Sequence, residues 1–413
     1  MSKPTLTASG GVYTLDWDAE RTRIRIDRLL EDSKHVITAE ILVQRTVTET
    51  PQHLHQARLN LTSTAARRTL AKALEQMDST ITQWDVLLEQ ACVMVLERFR
   101  EGDPAIRVHT IERRERAIVY RSWPYVLEHQ LNLLYGVGGA AKSAMAQLIA
   151  VLVDTYQEEH FIRPLSGNVL YLDYETDQND FRGRIDHIHA GLGLNGVDSN
   201  ILYRFSYHPL ALDIAPIQRI VAEHQIDLVI VDSAGPACNG EPEKAEIALA
   251  FFRAIRSLQK TALVISHVPK ERENQKMPFG SVYFWNMPRN LWLLKRQQEP
   301  GQSELAIGLY HTKGNSVMLE KPRAIKISFS AEATIFTKAD IMREPELAKD
   351  TSMRDKLVFL LGKGVPMTVD ELVAETGGDK RNITNKLNEA KGLFAKNTGA
   401  GWFLLARKDT QQE

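Results

Sequence analysis

Between the apolar run Leu133-Leu134-Tyr135 and a second that begins at Met145 stands the stretch Gly136-Val137-Gly138-Gly139-Ala140-Ala141-Lys142-Ser143. Glycines, a lysine and a hydroxyl residue in this order suit the binding of a phosphate chain. The glycines let consecutive amides point inward, and a helix starting behind them offers its positive end. Lys142 can reach the outer phosphates, and Ser143 can give an oxygen to a magnesium ion. Ala141 stands where the pattern G-x-x-x-x-G-K-[ST] has its second glycine, and its methyl group restricts the loop. Gly136, Gly138, Gly139, Ala140, Ala141, Lys142, Ser143 and Ala144 are therefore the candidate nucleotide contacts. A glycine-rich turn between a strand and a helix is the alternative reading of the same residues.

Three further segments carry chemistry that a phosphate site needs, and they follow in order. Val169-Leu170-Tyr171-Leu172-Asp173-Tyr174-Glu175 reads as a strand with Glu175 just past its end, where a carboxylate can polarise a water attacking the outermost phosphate. Leu228-Val229-Ile230-Val231-Asp232 reads as a buried strand ending in Asp232, a carboxylate for the magnesium shell. Ala262-Leu263-Val264-Ile265-Ser266-His267 ends in His267, which can hydrogen-bond the outer phosphate and report its loss. The bland alternatives are a surface acid, a helix cap and a structural histidine.

The elements that would position these residues are strands alternating with amphipathic helices from about 120 to 335. Candidate strands lie at 131–135, 169–174, 202–205, 228–232, 262–266, 291–295, 305–312 and 325–329. Strands separated by helices predict a largely parallel α/β sheet that binds ligands at its carboxyl edge, with the last, closely spaced strands as edge hairpins. Before it, residues 1–112 alternate apolar and polar positions and then give two helical patterns, 64–77 and 84–100, so a small α+β module is expected. The charge-dense Glu112-Arg113-Arg114-Glu115-Arg116 leads out of it. After a polar stretch, residues 351–408 read as three short helices and a hairpin, which suggests a winged helix.

The 413-residue chain carries 25% charged residues and a formal charge of -1, so a nucleic-acid site, if present, is local rather than a basic surface. Two cysteines, Cys92 and Cys238, exclude a disulfide framework and fit a reducing, cytoplasmic setting. No apolar run of membrane or signal-peptide length is expected.

The joint pattern from 120 to 330 resembles the RecA-like hexameric helicase ATPases, especially the plasmid replicative helicase RepA family. Arg184-Ile185 after Glu175, the block Gly280-Ser281-Val282 with Arg289 nine residues after the glycine, and His311-Thr312-Lys313-Gly314-Asn315 add to that similarity, while Pro288 immediately before Arg289 departs from it, fixing its own φ and removing a donor. The resemblance implies an enzyme that hydrolyses ATP with Mg2+. Lys142 would hold the outer phosphates, Ser143 and Asp232 the metal, and Glu175 would activate water. His267 would sense the outer phosphate, and Arg289 would complete a neighbour's site. A homo-oligomer is then implied, with a hexameric ring expected. A surface or structural ion pair is the other reading of Arg289.

In such motors the loops after the Asp232 and His267 strands line a channel for single-stranded DNA. Lys270, Arg272 and Lys276 in the second loop could track a phosphate backbone, although Glu271 and Glu273 interleave with them. Lys380, Arg381 and Lys386 lie on the recognition helix expected of a winged helix, which serves either duplex DNA or a protein partner. A DNA helicase or single-stranded-DNA-stimulated ATPase of a plasmid, phage or other mobile element is the first expectation. A nucleotide-dependent protein-assembly switch, such as a loader, regulator or defence component, is the second. A loop that binds ATP without hydrolysing it is the third.

Overall fold

The computed structural model describes residues 3–9, 11–48, 50–81, 83–102, 105–111, 118–159, 161–269, 276–390, 392–397 and 401–405. The charge-dense 112–116 segment lies outside the described residues.

The chain opens with β1 (Thr5–Ser9), β2 (Val12–Trp17), β3 (Thr22–Glu31), β4 (Ile37–Arg45) and β5 (Gln52–Asn60), an antiparallel sheet in sequence order. In β4 the alternation buries Ile37, Ala39, Ile41 and Val43 on one face, as a half-covered sheet requires. Helices α1 (Thr64–Met77) and α2 (Trp84–Glu101) cover that face. The Ser63 hydroxyl accepts from the Ala66 amide and starts α1, while Trp84, Leu87, Leu88, Ala91 and Val95 of α2 enter the core.

Next come β6 (Tyr120–Trp123), β7 (Val126–Leu127), β8 (Leu131–Gly136), α3 (Lys142–Thr155), β9 (Arg163–Pro164), β10 (Val169–Asp173), α4 (Gln178–Gly191) and β11 (Leu202–Phe205). They are followed by α5 (Ile214–Glu223), β12 (Leu228–Asp232), α6 (Ala234–Ala237), α7 (Ala245–Ser257) and β13 (Thr261–His267). The segment ends with α8 (Tyr283–Asn286), β14 (Asn290–Gln297), β15 (Glu304–Gly314), β16 (Arg323–Phe329) and β17 (Thr334–Ala339). A nine-stranded sheet runs β11-β10-β12-β13-β8-β14-β15-β16-β17. Its strands from β11 to β14 are parallel, and β15 to β17 join as antiparallel neighbours.

Helices α3 and α4 pack on one face of this sheet and α5, α7 and α8 on the other, so β12 is buried at all five positions. That explains why Leu-Val-Ile-Val runs without alternation there. The carboxyl ends of β8, β10, β12 and β13 adjoin one another. Asp27 of β3 pairs with Arg219 of α5, and Arg25 approaches Glu223 at 3.9 Å, which ties the first sheet to this one.

The edge strand β17 and the small sheet β7-β6-β9 were not expected from sequence. Strands of two to four residues are too short to show a period, and β17 (Thr-Ile-Phe-Thr-Lys-Ala) buries only Thr334 and Phe336 at the sheet edge. The last part comprises α9 (Pro345–Ala348), α10 (Met353–Leu361), α11 (Val369–Thr376), α12 (Lys380–Glu389) and the hairpin β18 (Phe394–Asn397) to β19 (Gly401–Leu404). Leu357, Leu361, Leu372, Ile383, Leu387 and Phe394 form its own core. A reciprocal Thr368–Glu371 capping box starts α11. Among the described residues no helix is long and apolar enough to cross a membrane, and Cys92 and Cys238 are buried free thiols.

Candidate active site

The glycine-rich stretch joins the carboxyl end of β8 to α3. A Cβ on Gly136 would lie 2.4 Å from the Leu294 carbonyl oxygen, so close packing of β14 beside the loop requires glycine there. Gly139 has φ +71°, and Ala141, the residue just before α3, has φ 58° and ψ 29°. Ala141 thus takes the left-handed conformation that a glycine would adopt freely, at a cost of roughly 1 kcal/mol. From outside the loop, Arg296 of β14 donates through Nη1 to the Gly139 carbonyl at 3.2 Å.

Lys142 is 5% exposed, and its Nζ donates to the carbonyls of Gly136 (3.1 Å) and Val137 (2.9 Å). Burial lowers its pKa, and Asp232 and Glu175 oppose that. His267 Nδ1 stands 3.5 Å from the same Nζ. Its Nε2 faces Glu175 Oε1 at 3.6 Å. Glu175 also accepts from the Ser233 hydroxyl. The His267 ring first, and then Ser233 and Lys142, hold the Glu175 pKa down to about 2 against the effect of burial.

Asp232 is almost fully enclosed at the end of β12, and burial pushes its pKa up to about 6. The Tyr171 hydroxyl donates to its Oδ2 at 2.6 Å, while Oδ1 is buried without a hydrogen-bond partner among the described residues. Asp173, one strand over, caps the turn that aims Glu175: its Oδ1 accepts from the amides of Glu175 (2.9 Å) and Thr176 (3.0 Å).

A cavity of about 490 Å³ brings together Gly139, Ala140, Ala141, Lys142, Ser143, Ala144, Glu175, Asp232 and His267. Gly136 and Gly138 are not among its lining residues. Gly136 offers its carbonyl to Lys142 instead. Arg184 and His187 of α4 also line the cavity, and Gln298, Leu305 and Phe329 close its far side. Of these, only Arg184 drew notice in the sequence. Tyr171 and Asp173 were passed over because a tyrosine within Val-Leu-Tyr-Leu reads as core, and its partner appears only once β10 and β12 are in register.

Arg289 is not at this cavity. Its amide donates to the Leu131 carbonyl at 2.8 Å, at the amino end of β8, and its side chain is exposed. Among the described residues no carboxylate forms an ion pair with it. Lys313 steadies the preceding turn, donating to the carbonyls of Trp285 (2.6 Å), Asn286 (3.1 Å) and Pro288 (2.8 Å). The proline before Arg289 therefore contributes an acceptor to this turn.

The basic residues behave unevenly. Lys270 and Arg272 lie outside the described residues. Lys276 is exposed, and its carbonyl accepts from the Tyr135 hydroxyl at 2.8 Å. On α12, Lys380 is paired with Asp370 (2.6 Å) and Lys386 with Glu389 (2.7 Å), so two of the three cations placed on the expected recognition helix have carboxylate partners. Glu389 lies three residues after Lys386 on the same helix, whereas Asp370 comes from α11 and was not visible in the pattern of α12 alone. Arg381 is exposed.

Residues 103–273 match a family model described as an AAA domain, a span that contains the loop, Glu175, Asp232 and His267 and stops short of Arg289. No curated protein matches the chain. Among solved structures, a KaiC-like protein from the hyperthermophilic archaeon Pyrococcus horikoshii is similar at 13% identity and a TM-score of 0.37. That similarity covers 51% of this chain and 91% of that one. With the glycine-rich loop, the strand-end acids and the family match in place, the chain carries a P-loop NTPase domain of mixed α/β architecture built on a largely parallel sheet.

Proposed function

We propose that the protein is an ATP-hydrolysing RecA-like motor that works as a homo-oligomer, of the DNA helicase or single-stranded-DNA-stimulated kind. The observation that carries the ATPase reading is the convergence of Lys142, Glu175, Asp232 and His267 on one cavity at the carboxyl edge of the sheet. In this reading the loop amides and Lys142 bind the phosphates. Glu175, ionised at any physiological pH, orients the attacking water. His267, set between Lys142 and Glu175, registers the outer phosphate.

Ser143 and the orphaned Asp232 Oδ1 are hard oxygen donors of the type Mg2+ takes alongside nucleotide phosphates. Bound there, Mg2+ would neutralise charge building on the phosphates. Arg289, exposed, without a carboxylate partner among the described residues and at the far end of β8, suits a site completed by a neighbouring subunit, hence a ring or filament.

A second reading, a nucleotide-driven switch of protein assembly, is favoured by the paired Lys380 and Lys386. The three helices and hairpin, read as a winged helix, would then meet a protein partner. Residues 351–413 carry ten Lys or Arg and eight Asp or Glu, which agrees with that balance.

ATPase turnover measured with and without single-stranded DNA separates the readings. Salt-sensitive DNA binding with stimulated turnover is expected for the motor. Turnover without DNA binding, with nucleotide-dependent assembly, replaces it with the switch. Absence of Mg2+-dependent hydrolysis overturns both.

A further inference from the structure

Tyr171 is fully buried on β10, where a tyrosine hydroxyl needs a partner. The parallel register sets Tyr171 opposite Ile230 and Asp173 opposite Asp232, so Tyr171 and Asp232 share one face of the sheet, two residues apart in height. The hydroxyl therefore rises toward the strand end and donates to Asp232 Oδ2 at 2.6 Å. The ring is held in turn by Phe181 of α4, with centroids 4.7 Å apart, and Phe181 packs on Tyr203 at 4.5 Å. A planar carboxylate fixed through one oxygen has little freedom left for the other. That other oxygen, Oδ1, is buried without a partner among the described residues, on the wall of the cavity that Ser143 also lines.

We infer that Tyr171 is a positioning residue for the divalent cation that accompanies the nucleotide: its hydrogen bond to Asp232 Oδ2 aims Oδ1 at the cation shared with Ser143. The inference rests on the nucleotide-site reading above. Partners that orient a metal's ligands typically change metal affinity about 10- to 100-fold when removed.

The test is an equilibrium titration of the full chain with a fluorescent ADP analogue, first in EDTA and then with increasing Mg2+. Tyr171→Phe keeps the ring and its packing and deletes only the hydroxyl. Expected is an affinity in EDTA close to wild type, because the loop and Lys142 are untouched, together with a half-saturating Mg2+ concentration raised about tenfold or more. Phe181→Leu disturbs the packing without touching the hydrogen bond and should leave the Mg2+ midpoint where it is. Should Tyr171→Phe fail to fold, Tyr171→Leu removes the same hydroxyl, and its Mg2+ midpoint is read against that of Phe181→Leu, which carries the matching packing defect.

An unchanged or tighter Mg2+ midpoint in a folded hydroxyl-free variant overturns the inference alone. Equal shifts in Tyr171→Phe and Phe181→Leu also overturn it, since packing would then explain both. Wild-type protein with no Mg2+ dependence of nucleotide affinity overturns the metal-site reading on which it rests.

Discussion

The Arg289 amide and the Leu131 carbonyl are joined at 2.8 Å, which fixes the arginine at the opposite end of β8 from the phosphate loop. The six residues of that strand set the two ends roughly 17 Å apart at about 3.3 Å per residue. An arginine side chain does not span that distance, so any contribution to phosphate chemistry must be to another copy. Arg289→Ala is therefore expected to keep nucleotide affinity and lose about a thousandfold in turnover. Mixed with Lys142→Ala subunits under demonstrated exchange, it should recover part of the activity, because some interfaces then pair an intact loop with an intact arginine. Full activity of a monomer at high dilution would rule this out.

Glu175 and Lys142 separate hydrolysis from binding. In Glu175→Gln an amide oxygen still accepts from Ser233 but no longer carries the charge that orients water. Hydrolysis should fall by about 10²- to 10⁴-fold while ATP affinity stays within a few-fold of wild type. Lys142→Ala should lose binding and hydrolysis together, since the outer phosphates are left without their buried cation. The two are distinguished by measuring binding and turnover on the same preparations. A Glu175→Gln variant that stays folded but does not bind ATP would remove Glu175 from the water site.

The strands and the cavity residues were legible because burial on both faces forces continuous apolar runs, and carboxylates break such runs at strand ends. Glu175, Asp232 and His267 were visible as the polar ends of such runs, and Lys142 and Ser143 as the close of the glycine-rich stretch between a strand and a helix. What could not be seen depends on register and on partners distant in sequence. The Tyr171 hydroxyl finds Asp232 across 61 positions, and Gln298 and Phe329 reach the cavity from the antiparallel half of the sheet. The same limitation affected α12, whose periodicity showed Lys380 as exposed while its acid partner Asp370 comes from the preceding helix.

The Asp232 carboxyl has a folded pKa of about 6 against an ordinary 3.8, chiefly through burial, with the Tyr171 hydrogen bond and the nearby Ser143 hydroxyl, which lies outside hydrogen-bond geometry, opposing and Glu175 and Asp173 adding to the rise. A raised folded pKa contributes stability that is fully present below the unfolded value and is lost as pH climbs through about 6. At neutral pH the loss is on the order of 3 kcal/mol. Asp232→Asn removes this titration, so nucleotide-free Asp232→Asn should melt above wild type at neutral pH, with the gap closing as pH falls below about 4. Glu175 works in the other direction, its depressed pKa giving stability that fades in acid, but it is common to both proteins and cancels in the difference. Thermal melts of the two across pH check this. A gap independent of pH would mean that Asp232 is not the group responsible.

Ala141 holds the loop in a left-handed turn that a glycine would adopt without strain. At φ 58° its methyl group sits in the left-handed region, where glycine is at ease and alanine is disfavoured by roughly 1 kcal/mol. The structure accommodates it because Arg296 braces Gly139 from outside and β14 packs on Gly136, so neighbouring parts of the loop are fixed independently. Ala141→Gly relieves the strain but gives the unfolded chain more freedom, and these effects partly offset each other. Stability should therefore change by less than about 1 kcal/mol. If the methyl group does not touch the phosphates, ATP affinity should stay within about twofold, since only backbone strain has been exchanged for entropy. If it crowds them, affinity should rise by up to about tenfold, the equivalent of about 1.4 kcal/mol. ATP titrations of wild type and Ala141→Gly, read beside their melting temperatures, decide which. A weaker-binding Ala141→Gly would show instead that the alanine is what keeps the loop in its phosphate-ready shape.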